Sequence, residues 1–107
     1  MNRVGFAIQV RRDKVTEYQK LHRKVWPEML DALRRCGWKN YSLFMRDDGL
    51  VFGYFETEGD LHSARSRIAA EPVYDRWQLL MKDYAEPLGG GNSGVRVTEL
   101  QEVFHLG

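Results

Sequence analysis

Tyr18, His22 and Trp26 stand at positions i, i+4 and i+8 of a segment whose apolar residues recur at helical spacing. A helix would place a phenol, an imidazole and an indole on one stripe. An imidazole titrates near a pKa of about 6.5, so it can both give and take a proton at working pH. That suits a reaction needing an acid and a base in turn. The indole adds a flat apolar surface. The same spacing also describes the inner face of an amphipathic helix with His22 hydrogen-bonded to it, and apolar helical stripes are usually core. The residue types alone leave both readings open.

The remaining reactive residues are scattered. His62 lies in a polar helical stretch and His105 near the end of the last predicted strand, and the three histidines share no metal-ligand spacing, so no metal is expected. Glu102 interrupts an otherwise apolar strand face, where it could be a general base, a hydroxyl acceptor or a structural partner for Arg or Lys. Gly89-Gly90-Gly91 lacks the lysine and following helix of a phosphate-binding loop. Serine and cysteine show no nucleophile signature and the chain carries no dinucleotide fingerprint.

The elements that must position these groups follow from periodicity. Residues 4–10 alternate as a strand. Asp13 is the expected N-cap of a helical pattern running from Lys14 to Cys36, which Pro27 should kink or break near Val25 and reopen as the first residue of a second segment. Gly37 is a C-cap, and Cys36 in the last turn is expected to behave as a small hydrophobe. Asn40–Arg46 is a strand, Asp47-Asp48-Gly49 a hairpin turn and Leu50–Glu56 a third strand. That third strand is apolar on both faces, with Val51 and Phe55 on one and Phe52 and Tyr54 on the other, so both need cover. Residues 60–70 and a segment from Pro72 are helical, 86–94 is a flexible loop, and Thr98–Leu106 is a final strand. The order predicts an α+β fold, the ferredoxin-like split βαβ plan, with an antiparallel sheet and helices on one face.

At 107 residues the chain fits a single domain, 1–107, with a thin core that association with a second copy would reinforce. A net charge of +1 argues against nucleic acid as a partner. No run approaches the roughly 18 apolar residues of a membrane span, and the N-terminal residues do not follow a signal-peptide pattern. A single cysteine excludes an internal disulfide, and a reducing cytoplasm is the expected compartment.

The run Glu17-Tyr18-Gln19-Lys20-Leu21-His22-Arg23-Lys24-Val25-Trp26-Pro27-Glu28-Met29 resembles the E-Y-x-x-x-H-x-x-x-W-P-E-[LM] signature of the L-rhamnose mutarotases. Asn40-Tyr41-Ser42-Leu43 is similar to that family's second strand, Asp75-Arg76-Trp77 with Met81 to its later helix, and Glu99 to Leu106 to its closing strand. The resemblance implies a dimeric α/β barrel in which two ferredoxin-like sheets face each other. It implies a cofactor-independent isomerase acting on a monosaccharide, L-rhamnose or a related 6-deoxy sugar such as L-fucose. It further implies that His22 is the proton donor and that Tyr18, Tyr41 and Trp77 contact the sugar, together with position 78. There the family's second Trp is replaced by Gln78, which substitutes an amide for a stacking surface. The triple glycine also departs from the usual Pro-containing lead-in to Asn92-Ser93. Two other classes compete: a small ferredoxin-like dimeric oxygenase or haem-binding protein using His22 as ligand or polarising group, and a non-catalytic sugar-binding module.

Overall fold

A computed structural model describes residues 1–84 and 97–107. The elements run β1 (Asn2–Gln9), α1 (Val15–Arg23), α2 (Pro27–Arg35), β2 (Lys39–Met45), β3 (Leu50–Thr57), α3 (Leu61–Ala69), α4 (Pro72–Met81) and β4 (Thr98–Leu100). The four strands form one antiparallel sheet in the order β2-β3-β1-β4. This is the ferredoxin-like α+β plan expected from the element order. The loop expected over 86–94 lies outside the described residues.

Strand alternation divides the sheet into two unlike faces. Val4, Phe6, Val51 and Phe55 point toward the helices and are buried. They join Ala32 from α2, Ala64 and Ile68 from α3, and Trp77 and Met81 from α4. On the other face Phe44 and Phe52 are cross-strand partners and are 63% and 43% exposed. The chain's own helices cover only one side of the doubly apolar third strand.

Local chemistry sets most boundaries. Proline lacks an N–H and its ring crowds the carbonyl four residues back, so α1 ends at Arg23 and Pro27 opens α2. Helix α2 closes with Gly37 at a positive φ of 83°, with Gly37 N–H donating to the Arg34 carbonyl and Trp38 N–H to that of Leu33. That paired closure satisfies two orphan carbonyls and fixes Trp38, whose ring stacks on Phe55 at 3.9 Å between centroids. Buried Cys36 caps the same helix and packs in the core.

Two boundaries differ from expectation. Asp13 does not cap α1; it sits in a short 3-10 turn, Arg12–Lys14, with no side-chain cap bond. The side-chain cap observed is at α3, where Asp60 accepts from the Ser63 N–H at 2.8 Å. The last strand pairs with β1 only from Thr98 to Leu100, not to Leu106. Beyond it Glu102 is held by a side-chain ion pair to Arg3, and Val103, Phe104 and Leu106 are exposed. Alternation specifies a strand's faces but not its partner: Asn2, Arg3 and Val4 of β1 extend beyond the Gly5↔Leu100 pair, yet the chain past Leu100 does not ladder with them.

The irregularity that matters most lies at the start of β2. The pairing jumps from Lys39↔Glu56 to Ser42↔Tyr54, three residues against two, and Asn40 takes a φ of 50°. This bulge inserts one residue, which re-aims the side chains on its strand. Without it Tyr41 would lie opposite Tyr54 on the open face; with it Tyr41 turns inward beside Phe6, Trp38 and Phe55. Asn tolerates the left-handed region because its short polar side chain bonds locally, here donating to Glu56 at 3.1 Å. Asn40→Val should therefore cost about 1–3 kcal/mol, read as a lower denaturation midpoint, while Asn40→Gly should cost clearly less. Equal losses for the two would show that the backbone conformation is not the constraint.

Candidate active site

Between the sheet's inner face and the helices lies a cavity of about 370 Å³. Tyr18 and His22 reach it from α1, Tyr41 from β2, and Trp77 and Gln78 from α4. The five residues that the family resemblance implicates thus line one cavity. Trp26 does not continue the α1 stripe, because α1 stops at Arg23 and Trp26 sits at the N-cap of α2. It lies instead behind Trp77, edge to face at 5.0 Å.

Helical spacing brings Tyr18 and His22 together, with ring centroids 4.2 Å apart, and places the imidazole against Trp77 at 5.5 Å. His22 Nδ1 lies 2.9 Å from the Tyr18 carbonyl oxygen. A carbonyl only accepts, so Nδ1 carries the hydrogen and donates. In the neutral ring Nε2 then keeps its lone pair. Burial lowers the His22 pKa below its ordinary 6.5, and the smaller opposing effect is the bond to the Tyr18 carbonyl, which favours the charged form. The resting imidazole is neutral at physiological pH.

The tyrosines behave in the opposite sense. Burial pushes the Tyr18 phenol up to about 12, so it keeps its proton and can only donate or accept hydrogen bonds. Tyr41 is raised first by burial and then by the charges its neighbours Tyr18 and Tyr74 would carry on ionising; all three phenols line the cavity. Tyr74 is also raised, chiefly by burial.

Glu102, a candidate base from the sequence, is not in the cavity. It bonds Arg3 through both carboxylate oxygens, at 2.8 and 2.9 Å, and is exposed. His62 and His105 are exposed as well. Conversely, sequence reading passed over Trp38, Arg65 and Tyr74, which line the cavity. Arg65 follows Leu61 by four residues and precedes Ile68 by three, so the inward stripe of α3 was legible, but an arginine within it reads as an exposed position.

The comparisons with known proteins identify the family and the fold. The family model described as L-rhamnose mutarotase matches residues 3–106. The chain belongs to the L-rhamnose mutarotase family. An L-rhamnose mutarotase from Oceanobacillus iheyensis is 36% identical over 107 residues, covering 99% of each chain. A crystal structure of an L-rhamnose mutarotase from Formosa agariphila superposes with a TM-score of 0.83 at 22% identity, covering 100% of both chains. An antibiotic biosynthesis monooxygenase shares the fold more loosely, with a TM-score of 0.61 at 17% identity over 96% of this chain and 99% of the other. Proteins of different chemistry use this fold, so the side chains in the cavity must carry any functional argument.

The tautomer and the lowered pKa can be checked without a substrate. Nitrogen-15 NMR of the imidazole should show His22 protonated at Nδ1 when neutral, titrating below pH 6.5. A midpoint above that value, or the Nε2 tautomer, would contradict the geometry.

Proposed function

We propose that this chain is an L-rhamnose mutarotase, interconverting the α and β anomers of L-rhamnose or a related 6-deoxy sugar such as L-fucose, with His22 as the catalytic acid–base. The observation that supports it most is the neutral His22, locked at Nδ1 by a backbone carbonyl, on an aromatic cavity in a chain of this family.

Ring opening moves one proton from the anomeric hydroxyl to the ring oxygen. The anomeric O–H gives up its proton, the bond between the anomeric carbon and the ring oxygen breaks with its electron pair going to that oxygen, and the oxygen is protonated. The anomeric carbon becomes an aldehyde. Rotation about the adjacent C–C bond offers its other face, and reclosure reverses the transfers. Both oxygens are bonded to one carbon, so a single group can serve both. His22 Nε2 takes the first proton as a base and returns it to the ring oxygen as an acid. Electrons and protons balance without a cofactor.

The neighbours have passive roles in this scheme. Tyr18, protonated throughout, orients the sugar beside His22, and its backbone carbonyl holds the imidazole. Tyr41 hydrogen-bonds a hydroxyl. Trp77 is backed by Trp26 and lies against the apolar C–H side of the ring. Gln78 contributes an amide at the cavity wall. The buried free thiol of Cys36 fits a cytoplasmic setting.

A homodimer fits the same reading. The open sheet face presents Phe44 and Phe52, and the exposed tail adds Val103, Phe104 and Leu106. A second sheet packed on this face would supply the cover the strand pattern calls for and form the two-sheet barrel.

Two experiments test the proposal. Saturation-difference proton NMR should show accelerated anomer exchange on L-rhamnose or L-fucose, and His22→Ala should lower it by about 10²–10⁴-fold while the fold persists. The rate should be flat above pH 6.5 and fall with acid below it, since protonation removes the base. A folded His22→Ala with an undiminished rate would falsify the assignment. For the assembly, sedimentation equilibrium should return a dimer, and Phe52→Glu should return a monomer; a wild-type monomer at micromolar concentration would rule the dimer out.

A further inference from the structure

Arg65 lies where an apolar side chain would be expected. On α3 it shares the inward stripe with Leu61 and Ile68, both buried, and all three line the cavity beside His22. Among the described residues it is the one Lys, Arg, Asp or Glu side chain on that wall. Arg65 is half-buried, yet it forms none of the ion pairs found among the described residues, although Asp75 and Glu99 border the adjoining cleft with it. Its neighbour on the same helix shows the contrast. Arg67 donates to the Cys36 carbonyl at 2.9 Å and to the Thr57 hydroxyl at 3.1 Å, and it has a structural task.

Arg65 has polar neighbours on this wall of the cavity. It lies close enough to the Tyr74 phenol to oppose the upward shift that burial causes there. Tyr74 and Gln78 line the cavity with it. The same three residues also border an adjoining cleft between α3 and α4 that His22 does not reach. The polar corner therefore opens onto that cleft, which the imidazole does not border. A pyranose with its anomeric carbon and ring oxygen at His22 turns the opposite ring edge, with its adjacent hydroxyls, toward that corner. A guanidinium is a planar fork of N–H donors with no acceptor, and parallel N–H pairs suit two neighbouring oxygens. An amide supplies both a donor and an acceptor.

We propose that Arg65 is a sugar-binding, specificity-determining residue of this site, its guanidinium donating to the adjacent hydroxyls on the ring edge opposite the anomeric carbon while Gln78 completes their hydrogen bonding. The proposal rests on the mutarotase reading for the identity of the ligand. It concerns binding and not proton transfer, so it separates KM from kcat.

The test uses the full chain with Arg65→Met, which keeps the length of the apolar stem, and Arg65→Lys, which keeps the charge but loses the fork. Anomer exchange is measured by saturation-difference NMR across a range of L-rhamnose concentrations, and circular dichroism checks each fold. Arg65→Met should raise KM about ten-fold or more with kcat within about three-fold of wild type, and Arg65→Lys should fall between. Wild type should lose a comparable factor on 4-deoxy-L-rhamnose, and Arg65→Met should discriminate little between that sugar and L-rhamnose. An unchanged KM in both folded variants, or a 4-deoxy penalty that persists in Arg65→Met, overturns the assignment. If wild type accelerates exchange on no sugar, the mutarotase reading fails by itself. Arg65 is then judged by L-rhamnose binding followed through tryptophan fluorescence: a loss of about ten-fold in Arg65→Met supports its role, and equal affinity, or no binding by wild type, overturns it. Should Arg65→Met not fold, the Arg65→Lys shift in KM or Kd decides.

Discussion

The antiparallel pairing of Asn2–Gln9 with Leu50–Thr57 obliges alternate side chains to face opposite ways, and the rest of the structure follows from which set the helices cover. Val4, Phe6, Val51 and Phe55 form the floor on which α1 to α4 pack. The cavity opens where that floor meets the helices: Phe6 and Ile8 of β1 line it from below, and His22, Trp77 and Arg65 reach it from three different helices. Shifting the β1–β3 register by one residue would expose the floor and remove the cavity together. The core and the candidate active site are thus one construction.

Within that construction the polar groups are set by what the backbone leaves available. The Tyr18 carbonyl fixes the imidazole by accepting from Nδ1, and α1 supplies it because four residues separate the two. Burial then acts in opposite directions on neighbouring groups. It favours the neutral form of both, lowering the pKa of His22 and raising those of Tyr18 and Tyr41. An imidazole able to accept a proton beside phenols that retain theirs is the consequence. The arrangement needs no carboxylate, which agrees with Glu102 being engaged by Arg3 away from the cavity.

The two faces of the sheet carry different burdens. The inner face holds the candidate site, and the outer face exposes Phe44 and Phe52, as the tail exposes Val103, Phe104 and Leu106 among the described residues. For a domain of this size a thin core is the norm, so covering the outer face with a second copy would add apolar burial without disturbing the cavity on the other side.

The sequence by itself determined most of the elements and picked out residues that line the cavity. Period-2 and period-3.6 patterns located the strands and helices, Pro27 and Gly37 marked boundaries through the hydrogen bonds they cannot make or the φ they permit, and four-residue spacing paired Tyr18 with His22. The Glu-Tyr and Trp-Pro-Glu segments that flank His22 pointed to the family. Only the tertiary structure decided the rest, because each of these features depends on a partner distant in sequence. Trp26 left the α1 stripe but remained near it by packing on Trp77. Glu102 was drawn to Arg3 99 residues away. Thr98–Leu106 shortened to a three-residue pairing with β1, and past Leu100 the contact with β1 passes to the Arg3–Glu102 side chains. The Asn40 bulge turned Tyr41 inward, and α3 brought Arg65 to the cavity wall, since where a side chain points across a sheet or between helices is fixed by register and packing, which local periodicity does not encode.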